Sequence, residues 1–229
     1  MKVLALGAHP DDIEIFMFGT LAAMKAQGAE LAFAIATDGA RGGTGDPAAL
    51  ARTRRHEARA AAALLGVDPV FLDFPDGELI PDASLISRLK VLVADTDPDL
   101  VITHAPNDYH ADHRALSQAA SIAVSFRAPL LLAETLGGTG FEPTVYVDIS
   151  AHFETKAAAI RAHRSQDPER FVERLRAANG FRALQCNGVP GDYAEVYRFE
   201  PVFPFADIRD LLPPAPRINP VGDRSRRTL

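Results

Sequence analysis

The chain is 229 residues long, 47% hydrophobic and 24% charged, with a formal net charge of −6. This suits one large soluble domain, or one domain with a tail, whose core closes without a disulfide or metal staple. The acidic balance withholds the basic face that nucleic-acid binding needs, and a single cysteine, Cys186, rules out both an intramolecular disulfide and a Cys-rich zinc module.

In chain order, Lys2–Ala8 reads as a short buried strand, too short for the apolar region of a signal peptide. No later apolar run approaches a membrane span, so a soluble cytoplasmic protein without membrane partners is expected. Ile13–Gln27 reads as one helix stopped by Gly28, and Leu31–Thr37 as a second strand, followed by a loop with Gly39, Gly42, Gly43 and Gly45. The Ala- and Arg-rich Pro47–Leu65 is helical in spacing and ends at Gly66. Val70–Phe74 is a third strand, Ser84–Ala94 a helix, Leu100–His104 a fourth strand, Asp112–Phe126 a helix and Pro129–Glu134 a fifth strand. Such alternation predicts parallel strands joined by right-handed crossovers, an α/β fold with a doubly wound, mostly parallel, Rossmann-like sheet and helices on both faces. Further on, Val145–Ile149 and Ala194–Phe199 read as strands, and His152–His163 and Glu169–Ala178 as helices. We expect one domain over residues 1–210. A tail follows over 211–229, with four prolines and Arg217, Arg224, Arg226 and Arg227, as an extended arm or disordered end.

Two loops gather the chemistry. After the first strand comes His9-Pro10-Asp11-Asp12-Ile13-Glu14; after the fourth comes His104-Ala105-Pro106-Asn107-Asp108-Tyr109-His110-Ala111-Asp112-His113. Pro10 disfavours helix at His9, and an aspartate at a helix start has a bland reading as a cap. One histidine in the second loop fits an equally bland reading, but three fit it poorly; His104, at a strand end, is the most readily explained away. In the usual strand order 3-2-1-4, strands one and four are neighbours where the winding reverses, and ligands bind outside their carboxyl ends. That places His9, Asp11, Asp12, His110, Asp112 and His113 at one crevice, where a metal is the economical explanation. Imidazole and carboxylate without thiolate suit zinc, or iron in a two-histidine, one-carboxylate site.

His9-Pro10-Asp11-Asp12 followed by His110-x-Asp112-His113 resembles the zinc-dependent de-N-acetylases of the PIG-L/LmbE-like superfamily. Gly19-Thr20-Leu21-Ala22, Thr37-Asp38-Gly39 with Gly43, Arg54-x-x-Glu57, Leu65-Gly66, Asp76-Gly77 and Lys156 through His163-x-Ser165-Gln166 extend the resemblance over roughly residues 2–200. The resemblance implies His9, Asp12 and His113 as zinc ligands and Asp11 as general base. It implies His110 as the acid or oxyanion stabiliser and Asp112 as the residue orienting its histidine neighbours. Arg54 would contact substrate, and His163 would reach the site or simply end a helix. The implied substrate is a small N-acylated amino-sugar conjugate, and homo-oligomers occur in the family. The chain departs from the family at Ile15-Phe16-Met17-Phe18, where a small, Gly-rich stretch is usual. These residues read as a repacked helix face, or as a more apolar pocket wall that alters acyl or aglycone preference.

The chemistry agrees with those roles. Zinc lowers the pKa of bound water to about 7, a carboxylate can take its proton, and an amine leaves only when protonated. The alternatives are weaker. A dinucleotide-binding protein lacks its Gly-x-Gly-x-x-Gly at Gly7-Ala8-His9-Pro10, and the Gly39–Gly45 loop lacks a P-loop Lys-Ser/Thr ending. A signalling receiver module has half this length and no use for the second histidine loop. A non-catalytic metal-binding protein leaves Asp11 and His110 without a role.

Overall fold

The computed structural model describes residues 1–221; Arg224, Arg226 and Arg227 lie outside the described residues. The strands are β1 (Lys2–Gly7), β2 (Glu30–Thr37), β3 (Val70–Phe74), β4 (Leu100–His104), β5 (Leu130–Ala133), β6 (Val145–Asp148) and β7 (Ala194–Phe199). The helices are α1 (Asp12–Phe16), α2 (Phe18–Ala26), α3 (Pro47–Ala62), α4 (Ala83–Thr96), α5 (Ala111–Ala123), α6 (Phe153–Arg161) and α7 (Pro168–Leu184). One sheet runs β3-β2-β1-β4-β5-β7-β6. Its first five strands are parallel, and β7 pairs antiparallel with both β5 and β6. The expected 3-2-1-4 order is therefore present, and an antiparallel edge completes a mostly parallel sheet.

Side chains alternate across the pleat. Val3 and Ala5 of β1 join Phe33, Ile35, Leu100 and Ile102 in a core with α2, α3 and α6. Leu4 and Leu6 point the other way, joining Ala34, Val101, Leu85, Leu89 and Leu116 under α4 and α5. Local capping sets the helix starts. Asp46, before Pro47, accepts from the N–H groups of Ala48 and Ala49; Asp82 accepts from Ser84 and Leu85.

The single helix expected over Ile13–Gln27 is two. Met17 adopts φ −145° and ψ 1°, ending α1 and opening α2. A buried carboxylate stabilises the new start: Glu195 accepts from Gly19 N–H (3.0 Å) and Thr20 N–H (2.8 Å). The same carboxylate accepts from Lys156 Nζ at 2.6 Å and from Tyr197 Oη at 2.8 Å, so the break in α2 is tied to α6 and β7. The helix expected over Glu169–Ala178 continues to Leu184, and that over Asp112–Phe126 stops at Ala123. In the tail, Pro214 O accepts from Asp148 N–H at 2.9 Å at the end of β6, and Asn219 Nδ2 donates to Asn187 O at 3.0 Å beyond α7. Among the described residues, no helix is long and apolar enough to cross a membrane.

Candidate active site and metal centre

The carboxyl ends of β1 and β4 bring both loops together. His9 follows β1 directly, and its N–H donates to Asp12 Oδ2 at 2.7 Å, folding the loop so that both side chains face one point. His110 caps α5, its Nδ1 accepting from Asp112 N–H at 3.2 Å. That bond leaves Nε2 as the nitrogen carrying the proton of a neutral His110 ring. One turn into α5, His113 is buried against the β1 loop.

His9 Nδ1 lies 3.2 Å from His113 Nε2 and 3.3 Å from Asp12 Oδ2, and His113 Nε2 lies 3.3 Å from the same oxygen. Tetrahedral zinc with nitrogen and oxygen donors at roughly 2.0–2.1 Å spaces those donors about 3.3 Å apart, so the triangle fits such an ion. The outer edge of His9 is held by carboxylates: Nε2 is 3.1 Å from Asp112 Oδ2 and 3.2 Å from Asp76 Oδ1. Asp112 is itself fixed by the N–H groups of Gly77 (2.7 Å) and Leu79 (3.2 Å). His113 Nδ1 similarly lies 3.1 Å from Asp108 Oδ1. Carboxylates behind metal-ligating imidazoles fix ring orientation and tautomer.

Charge balance points the same way. Burial works against a proton on His9, but hydrogen bonds to the carboxylates of Asp112, Asp12 and Asp76 outweigh it and push its pKa up to about 12. His113 is likewise buried, yet the charge of Asp12 and the bond to Asp108 raise it to about 9. Asp12 is held well below the usual carboxylate range, burial being overcome by His113 and His104. This acidic pocket draws positive charge to the positions where a cation fits.

Asp11 and Arg54 form a second unit. Asp11 sits at φ 133° and ψ −17°, a conformation that costs a non-glycine residue about 1–3 kcal/mol. Buried Arg54 spans the strained turn: Nη2 donates to Pro10 O (2.7 Å) and Asp11 Oδ1 (3.0 Å), and Nη1 to Gly39 O (3.0 Å). The glycines after β2 make room for this guanidinium, since a Cβ on Gly42 would meet Arg54 Nη1 at 2.2 Å. Burial raises the pKa of Asp11, with Arg54 pulling in the opposite direction.

The structure thus brings together His9, Asp11, Asp12, His110, Asp112 and His113. Arg54 reaches the cleft, but its guanidinium is already engaged by Asp11 and backbone carbonyls. His163 is buried with Nε2 3.4 Å from Glu14 Oε2, behind Asp11 rather than in the cleft. Three residues gain importance over the sequence reading. Asp76 and Asp108 brace His9 and His113, and Asp76 stands two residues past β3, at the same carboxyl end of the sheet, a placement the strand-end argument could have found. His104 stacks on His113, with ring centroids 3.8 Å apart and planes 14° from parallel. Its Nε2 accepts from Ala8 N–H at 3.1 Å, and burial followed by the charge of His113 lowers its pKa to about 4. The cleft over the cluster measures about 350 Å³; its lining includes the polar Arg41, Asp76 and Gln166 and the apolar Ile15, Phe16, Leu136 and Phe171.

Residues 4–124 match the family model PIG-L, GlcNAc-PI de-N-acetylase. The chain belongs to the PIG-L family. It is 31% identical to a diacetylchitobiose deacetylase of Thermococcus kodakarensis, over 90% of this chain and 88% of that one. The solved N,N'-diacetylchitobiose deacetylase of Pyrococcus horikoshii superposes with a TM-score of 0.78 at 30% identity, covering 92% of this chain and 88% of that one. GalB of Pseudomonas putida, a 4-carboxy-2-hydroxymuconate hydratase, superposes with a TM-score of 0.77 at 24% identity, covering 88% and 97%. That last likeness is one of fold alone. PIG-L membership makes the chain a deacetylase, a hydrolase acting on amides.

Proposed function

We propose that the chain removes the N-acetyl group from a small N-acetylglucosamine-type conjugate, using a divalent metal, zinc, held by His9, Asp12 and His113. The observation that carries this reading is the donor triangle of 3.2–3.3 Å lying beside the Asp11–Arg54 unit. Three protein donors leave a position open, as a catalytic zinc site requires. The metal, when bound, supplies a Lewis acid that polarises the amide carbonyl and acidifies water.

The remaining steps belong to the chain. Asp11, its carboxylate fixed by Arg54, takes the proton of the attacking water; the raised pKa that burial gives it suits a base that must later release that proton. His110 presents Nε2–H, since Nδ1 is committed to Asp112 N–H, and donates a hydrogen bond to the developing oxyanion, while the proton Asp11 took from water passes to the departing amine. Asp112 and Asp76 hold His9 so that Nδ1 faces the metal position. Arg41, Asp76 and Gln166 offer the sugar hydroxyls polar partners. Iron can occupy the same two-histidine, one-carboxylate set.

The test is amine release from N-acetylglucosamine, diacetylchitobiose and N-acetylglucosaminyl-inositol by the metal-loaded protein, before and after chelation. Release that stops on chelation and returns with zinc supports the proposal. Absence of release from every member of the panel overturns it.

A further inference from the structure

Two groups of side chains line the cleft. Arg41 N–H donates to Asp76 at 2.8 Å and, with Gln166, gives a polar wall able to hydrogen-bond hydroxyls, while Ile15, Phe16 and Leu136 form an apolar one. Phe16 packs against two rings of the histidine cluster. Its ring meets those of His113 and His104 edge-on, with centroids 5.7 and 5.3 Å away. The break at Met17 places it there: α1 ends on Phe16, while Met17 and Phe18 turn into the core. Phe16 is only 9% exposed, so it is packed in place. A second, partly open cavity of about 30 Å³ shares Ile15, Phe16 and Leu136 with the cleft and extends to Asn179 and Leu175. These three side chains therefore belong to the walls of both.

We infer that Phe16, with Ile15 and Leu136, forms the closed end of an acyl subsite and restricts the enzyme to short acyl groups, acetyl above all. The inference rests on the deacetylase reading. A secondary amide is planar and trans, so its acyl substituent and its nitrogen substituent leave the carbonyl carbon in opposite directions. With that carbon beside Asp11, a hydroxyl-rich sugar takes the polar wall, because hydroxyls against the apolar wall would lose their hydrogen bonds. The acyl chain is then directed at Phe16. Each methylene beyond acetyl must displace a packed aromatic ring, and one misfitting methylene in such a pocket changes kcat/KM by about 10-fold or more.

The experiment measures kcat/KM for N-acetyl-, N-propionyl- and N-butyrylglucosamine with metal-loaded wild type, Phe16→Ala and Phe16→Leu. Methyl and phenyl glycosides of the acetyl compound run alongside, and bound metal per chain reports that each variant keeps its site. The expected result is a fall of about 10-fold or more from acetyl to butyryl in wild type. That fall flattens in Phe16→Ala, where loss of the ring opens space toward the second cavity, and is intermediate in Phe16→Leu. If Phe16→Ala fails to hold metal, Phe16→Leu and Leu136→Ala carry the comparison. The same acyl profile in wild type and variants overturns the inference, as does a variant effect confined to the methyl and phenyl glycosides. Absence of amine from every substrate overturns the deacetylase reading, and this inference with it.

Discussion

Arg54 Nη2 donates to Asp11 Oδ1 at 3.0 Å and to the carbonyl of the preceding Pro10 at 2.7 Å, so one buried nitrogen fixes both the base and its strained turn. The sequence reading gave Arg54 a substrate contact, whereas the bonds it makes suit a positioning role. The two roles separate kinetically. Arg54→Met is expected to lower kcat by about 10²-fold through misplacement of Asp11, with KM little changed and metal content intact. A raised KM at unchanged kcat is what a substrate contact gives, and steady-state kinetics on the acetyl substrate distinguishes them.

His104, the histidine most easily explained away in the sequence, braces two proposed ligands at once. Its ring lies flat on His113, and its Nε2 stands 3.1 Å from both Asp12 Oδ2 and the Ala8 nitrogen, donating to the carboxylate in one tautomer and accepting from the N–H in the other. Outer partners of metal ligands contribute about 10–100-fold to affinity. His104→Ala should therefore weaken zinc binding by that factor in competition with a chromophoric chelator. His104→Gln, which keeps an acceptor for Ala8 N–H, should recover part of the loss. Wild-type affinity in both variants would show that the stack is packing alone.

Metal uptake should release protons. Without metal, the surrounding carboxylates raise His113 to about 9 and His9 to about 12, and the facing ring nitrogens, 3.2 Å apart, hold a proton between them at pH 7. Coordination at His9 Nδ1 and His113 Nε2 requires neutral imidazoles. A group with a raised pKa keeps its proton until pH climbs through that value, so apparent zinc affinity rises as pH increases from 7 toward 9. Calorimetric titration in two buffers of different ionisation enthalpy measures the release; identical heats in both would contradict it.

Much of this was legible before any coordinates. Strand ends and helix starts carry strong local signals, and Pro10, the Gly66 stop and the β-α-β alternation placed the His9 and His110 loops at neighbouring strand ends. What escaped was set by tertiary contacts. The interruption at Met17 depends on Glu195, roughly 175 residues downstream, accepting from the start of α2. Nothing in the periodicity of Ile13–Gln27 announces a carboxylate arriving from β7. The commitment of Arg54 to Pro10, Gly39 and Asp11 likewise arises from α3 packing over two loops, which residue spacing cannot specify. Asp76 and Asp108 are not marked as bracing residues by the sequence, because the histidines they hold are brought to them by the tertiary fold.

The central claim separates the residues that hold metal from the residue that moves the proton, and one comparison tests it most directly. Bound zinc per chain and amine release are measured together for wild type, Asp11→Asn and His113→Ala. The account predicts one zinc and activity in wild type, one zinc with activity lost by about 10²-fold or more in Asp11→Asn, and neither zinc nor activity in His113→Ala. Full activity in Asp11→Asn, or undiminished zinc in His113→Ala, would contradict it.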